Sequence, residues 1–102
     1  MRMHNPAHPG ELIKNNFLEH SDLCQSEIAR RLQVNPATFS RLIQGKASVS
    51  AEMAIRLSQV LGLDAETWLN MQAQYDIAQL EASDLIGHLE RISPKHFERH
   101  VA

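Results

Sequence analysis

Gln25-Ser26-Glu27-Ile28-Ala29-Arg30-Arg31-Leu32, a Gln33-Val34 break, then Asn35-Pro36-Ala37-Thr38-Phe39-Ser40-Arg41-Leu42-Ile43-Gln44-Gly45-Lys46 is the stretch that decides the fold. Apolar residues recur at helical intervals in both parts, Ile28, Ala29 and Leu32 in the first and Phe39, Leu42 and Ile43 in the second. Between them Asn35 has the side chain of an N-cap, and Pro36 sits at a first helical position, where its missing N–H is harmless. Gly45 follows the last periodic residue, where a left-handed C-terminal cap belongs. Two short helices joined by so brief a turn form a helix-turn-helix, whose second helix enters the DNA major groove with its N-terminal residues leading.

The outward face of that second helix follows from the helical repeat, about 100° per residue. With Phe39, Leu42 and Ile43 in the core, Ala37, Arg41 and Gln44 point the opposite way, flanked by Thr38 and Ser40. Each type has a use at DNA. Arg41 has the fork to donate two bonds to guanine, and Gln44 the amide for adenine or a phosphate. Ala37 lets the helix approach and contact a thymine methyl; Thr38 and Ser40 are hydroxyl donors. Gln25, at the start of the preceding helix, and Lys46, just past the reading helix, are placed for phosphates. The same face also suits an ordinary solvated helix, so periodicity alone does not establish DNA binding.

Around this pair the chain reads as helices throughout. Residues 1–8 form an N-terminal arm. A first helix is expected from Pro9 to about His20 on Leu12, Ile13 and Phe17. A fourth starts after the cap Ser50, carries Met53, Ala54, Leu57 and Leu61 inward, and closes at Gly62; a fifth starts at the cap Asp64 and runs to about Leu80. A last helix is expected over Asp84–Arg91, ended by Pro94, with a loose tail from Lys95 to Ala102. Residues 9–82 are thus the expected DNA-binding and dimerisation domain, and 83–102 a C-terminal helix and tail.

The whole composition narrows the classes. At 102 residues and 43% apolar residues the chain suits one domain with one modest core. Its net charge of −2 hides an uneven distribution. Arg30, Arg31, Arg41 and Lys46 face a single acid, Glu27, between residues 25 and 48, whereas residues 64–90 carry six acids (Asp64, Glu66, Asp76, Glu81, Asp84, Glu90) and no Lys or Arg. A basic middle beside an acidic end suggests two partners, although the acids could equally serve solubility. The single cysteine, Cys24, excludes an intrachain disulfide and fits a reducing cytoplasm; it reads as structural. No stretch approaches the ~20 apolar residues of a membrane span, and no secretory signal is visible. The pairs His4/His8 and His96/His100 lack further ligands, so no metal site and no cofactor are expected. No nucleophile sits in a recognisable elbow or glycine-rich turn, so an enzyme is not expected.

The segment from Gln25 to Lys46 resembles the lambda-repressor-like (Cro/repressor) helix-turn-helix. Three flanking motifs narrow this: His8-Pro9-Gly10-Glu11; Ser50-Ala51-Glu52-Met53-Ala54-Ile55-Arg56-Leu57; and Trp68-Leu69-Asn70-Met71-Gln72 followed by Tyr75-Asp76. In that order they resemble the HigA/VapI-type antitoxins of bacterial toxin–antitoxin pairs, over about residues 5–80. The resemblance implies an all-α, lambda-repressor-like five-helix domain. It implies a homodimeric autorepressor on a palindromic operator, and usually a small RelE-like ribonuclease toxin as partner. Carried over by position, Gln25 would clamp phosphate, and Asn35, Pro36, Ala37, Thr38, Ser40 and Arg41 would face the groove. Pro36 and Ala37 stand where many members of the wider superfamily carry polar base readers, which leaves Arg41 as the main candidate for direct readout.

The fifth helix offers an independent clue. Trp68, Met71, Tyr75 and Ala78 make one apolar stripe, and Leu69, Ala73, Ile77 and Leu80 a second, roughly opposite. One faces the domain's own core; the other is expected to meet the same helix of a second chain, unless Leu85, Ile86 and Leu89 fold back over it. The acidic stretch is a candidate surface for a basic toxin. A repressor acting as an antitoxin is therefore the leading expectation, with a stand-alone helix-turn-helix regulator as the alternative and a protein-binding adaptor as the alternative of another class.

Overall fold

The computed structural model describes residues 5–83 and 85–92. Among these there are five α-helices and no strand. Helix α1 (Pro9–Ile13) runs on into a π-helical turn, Lys14–Leu18; α2 is Gln25–Leu32, α3 Pro36–Ile43, α4 Ala51–Val60 and α5 Ala65–Ala82. One core joins them: Ile13 from α1, Ile28, Ala29 and Leu32 from α2, Phe39 and Leu42 from α3, Val49 from the following loop, Ala54 and Leu57 from α4, and Trp68 from α5. Each fully buried large side chain among them contributes about 1.5–3 kcal/mol by leaving water.

Local signals set most of the boundaries. The Asn35 carboxamide oxygen accepts from the Ala37 N–H at 2.8 Å, and the Ser50 hydroxyl from the Met53 N–H at 3.2 Å. Gly45 takes φ +76°, and two bonds close the end of α3, Gly45 N–H to the Leu42 carbonyl (3.0 Å) and Lys46 N–H to the Arg41 carbonyl (2.8 Å). That is the paired-bond Schellman stop. Asp64 holds the N-cap position of α5 without a side-chain hydrogen bond.

Two expected boundaries move. The first helix does not reach His20: Glu19 N–H bonds five residues back to the Lys14 carbonyl, at 3.1 Å, and the wider turn ends at Leu18. The wider turn leaves both Phe17 and Leu18 half-buried against the core. At the other end, the helix expected over 84–91 is not formed across residues 85–92, which make a turn at 85–86 and no regular element beyond it. Leu85 and Leu89 are more than four-fifths exposed, so no packed face offsets the ordering of so short a helix, and Gly87 weakens it further. The stretch Lys95–Ala102, expected to be loose, lies outside the described residues, as do His4, His96 and His100.

Long-range hydrogen bonds fix the helices relative to one another. Arg56 of α4 donates through Nη1 to the carbonyls of Leu32 (2.8 Å) and Gln33 (3.3 Å), satisfying the end of α2 just where Gln33 turns left-handed at φ +59°. Buried Gln72 of α5 accepts from the Val49 N–H at 2.9 Å and donates to Asp76 at 2.9 Å. The Trp68 indole donates to the Gly62 carbonyl at 2.9 Å. Helix α1 sits directly on the last turn of α3: a Cβ on Gly10 would lie 1.9 Å from the Leu42 carbonyl oxygen.

Candidate nucleic-acid interface

With its back pinned to the core, α3 presents one continuous outer face. Phe39 and Leu42 are fully buried and Ile43 half-buried; Asn35, Pro36, Ala37, Arg41 and Gln44 are exposed, with Thr38 and Ser40 half-buried on the flanks. The expected residues therefore share one face of one helix. Gln44 Nε2 donates to the Ser40 hydroxyl at 3.2 Å, so these two act as a pair. The Asn35 carboxamide oxygen is engaged in capping, which makes this residue first an architect of the helix start. Gln25 is the first residue of α2 and half-buried; Lys46, exposed, follows the stop of α3. Beside the start of α3 a cleft of about 340 Å³ is lined by Thr38, Ser48, Ser50 and Arg56 among others. The Glu52 carboxylate lines it too, and the Arg56 guanidinium there is engaged by the α2 carbonyls and by Glu52.

The electrostatics differ from what a count of charges suggests. Glu27 accepts from Arg30 through Nε (3.1 Å) and Nη2 (2.5 Å), and from Arg31 Nε (2.9 Å). The two guanidiniums hold its carboxyl down to about 2. The single carboxylate offsets one of the two guanidinium charges and ties both side chains to α2. Arg41 and Lys46 have no carboxylate partner among the described residues, and these remain as free positive charge at the reading helix.

Sequence reasoning missed two supports of this face. His8 is 6% exposed; its Nδ1 caps α1 by accepting from the Gly10 N–H at 2.9 Å, and its ring meets Tyr75 edge-on, with centroids 5.0 Å apart. Burial pushes its pKa down, opposed by a hydrogen bond with the Ala47 backbone and by the charge of Asp76. A histidine immediately before Pro9 was the available signal. Arg56 left none, because the carbonyls it serves lie 23 and 24 residues away.

Along α5 the first stripe faces inward, with Trp68 fully buried and Met71, Tyr75 and Ala78 half-buried. Of the second, Leu69 packs partly against the chain's own core, and the exposed remainder is Ala73, Ile77 (40% exposed) and Leu80 (47%). Ile86 borders a small groove with Ile77, Leu80 and Glu81, but Leu85 and Leu89 do not fold back over the stripe. Among the described residues no group of His, Cys, Asp or Glu is placed to hold a metal ion, and no helix is long and apolar enough to cross a membrane.

The helix-turn-helix domain family matches residues 19–68. The HTH-type transcriptional regulator YddM of Escherichia coli K12 is 37% identical over 92 residues, covering 90% of this chain and 97% of YddM. Antitoxin GraA in complex with its operator superposes with a TM-score of 0.78 at 32% identity, over 91% of this chain and 96% of GraA. Antitoxin HigA of Pseudomonas aeruginosa, solved with the higBA promoter, gives 0.77 at 31% identity, over 86% of this chain and 99% of HigA.

Proposed function

The chain belongs to the HigA/VapI-type family of helix-turn-helix proteins, and from that premise we propose that it is a sequence-specific DNA-binding repressor that serves as the antitoxin of a toxin–antitoxin pair. The observation that carries the DNA-binding reading is the face of α3: small and polar at its leading end, with Arg41 exposed on it and without a carboxylate partner among the described residues. The similar GraA and HigA structures, solved with operator and promoter DNA, support DNA as the ligand. In this reading α3 lies in the major groove. Arg41 reads a base, with Ala37, Thr38, Ser40 and the Ser40–Gln44 pair beside it. Gln25 and Lys46 grip phosphates on either side, while Asn35 and Pro36 set the helix start at the groove. The role is binding, and no residue is assigned to catalysis. The setting is the cytoplasm, where the DNA is.

A homodimer built on Ala73, Ile77 and Leu80, with Leu69 at its inner edge, would present two copies of α3 to a palindromic operator, about 34 Å apart, one turn of duplex. The acidic α5 end is the surface offered to a small basic ribonuclease toxin, and the operon regulated is the chain's own. A stand-alone regulator is the second reading, favoured by the similarity to YddM. A small basic reading frame beside the gene supports the antitoxin; its absence supports the regulator.

The test is operator binding across a salt series, native upstream DNA against scrambled DNA. Arg41→Ala is expected to lose about 1–3 kcal/mol of specific binding and to relax preference at one base pair per half-site. Equal binding of both DNAs by the unaltered protein, or unchanged affinity in the variant, overturns the reading.

A further inference from the structure

The motif His8-Pro9-Gly10 has no part in the DNA-contact roles above, yet it sits behind the end of the reading helix. Gly10 lets α1 press on the backbone of α3: a Cβ there would lie 1.9 Å from the Leu42 oxygen and 3.0 Å from the Ile43 Cα. Just before it, the His8 ring packs against Gly45, whose absent Cβ would stand 3.7 Å from the His8 Cγ. The ring also meets Tyr75 of α5 edge-on. Because Nδ1 accepts from the Gly10 N–H, the proton of the neutral ring is on Nε2, free to donate to the backbone at Ala47. A single side chain thus touches the start of α1, the left-handed Gly45 and α5, with its Nε2 proton toward the backbone at Ala47. Lys46 follows Gly45 directly and is exposed, with no carboxylate partner among the described residues.

We propose that His8 is a positioning residue for DNA contact: wedged between Tyr75 and Gly45, it fixes the chain from Gly45 to Ala47 and so places the Lys46 ammonium at its phosphate. This rests on the DNA-binding reading. A histidine that merely filled the core would act on stability alone. One that places Lys46 acts on binding through Lys46, and that difference is measurable.

The test is a double-mutant cycle on the full chain: the unaltered protein, His8→Asn, Lys46→Ala and the pair, each titrated with native upstream DNA across a salt series and each melted. Asparagine supplies a capping oxygen for Gly10 but cannot span to Ala47. Expected is a several-fold loss of affinity in His8→Asn, with a salt slope shallower by about 1 per half-site, as for Lys46→Ala, and no further loss in the pair. A loss of the same factor with and without Lys46, or an unchanged salt slope, overturns the proposal. Should His8→Asn not fold, His8→Gln takes its place, keeping a donor toward Ala47: a native salt slope there supports the proposal and a shallow one overturns it. If the unaltered protein does not distinguish its own DNA from scrambled DNA, the DNA-binding reading itself has failed, which the Lys46 comparison cannot mimic.

Discussion

A neutral histidine held under 10% exposed makes stability depend on pH. Burial lowers the His8 pKa from its ordinary value of 6.5, and the groups that face it are Tyr75 and Asp76 from α5 and, across the adjoining cleft, Glu11 from α1 and Lys14 from the π-helical turn. With the folded pKa below the unfolded one, the unfolded chain takes up the proton first. The stability that the neutral ring contributes is therefore complete above 6.5 and declines as pH falls below it. The melting temperature of the unaltered protein is expected to fall between about pH 7 and about pH 5, and that of His8→Gln to fall less. Parallel curves for the two would refute the assignment. Asn35, Ser50 and Gly45 were legible in sequence because each acts on backbone within five residues of itself. The histidine cap was equally local, and was missed because histidine is not among the usual capping residues.

Helix α2 ends in a left-handed glutamine, and the carbonyls freed there are served from α4. Replacing Arg56 by methionine keeps much of the aliphatic packing and removes the donors to Leu32 and Gln33. A loss of about 1–2 kcal/mol is expected in urea unfolding, discounted because Arg56 is one-third exposed and its second partner, Glu52, is a surface pair. An unchanged midpoint would mean that water replaces the guanidinium there. The bounds of α3 were readable because Asn35-Pro36 and Gly45 punctuate both ends. Those of α1 were not: a π-helical turn has no composition that marks it, and only the fit of Phe17 and Leu18 to the core selects it. Helical spacing in Leu85, Ile86 and Leu89 misled for a related reason, since periodicity says which face could be buried and not whether anything is there to bury it.

For the molecule as a whole, the proposed dimer rests on the exposed Ile77 and Leu80. The unaltered chain is expected to sediment as a dimer at tens of micromolar concentration, and Ile77→Glu as a folded monomer, since the side chain is already 40% exposed in the single chain. A monomer in both would refute the dimer, and a dimer in both would move the interface elsewhere. The stripe was visible in sequence as a second apolar face; that its inner member, Leu69, is partly spent on the chain's own core was not, because it depends on where α5 crosses the body. Charge was legible as a count; its arrangement was not, since Glu27 holds both Arg30 and Arg31 along α2.

That arrangement bears on how such a protein would search a chromosome. Its net charge is −2, and the two cations there without a carboxylate partner among the described residues are Arg41, on α3, and Lys46, just past it. Little sequence-independent attraction is left to keep it on arbitrary duplex. It would glide along DNA only briefly, reach its site mainly by repeated collisions from solution, and leave wrong sites fast, so that its occupancy would follow its own concentration closely.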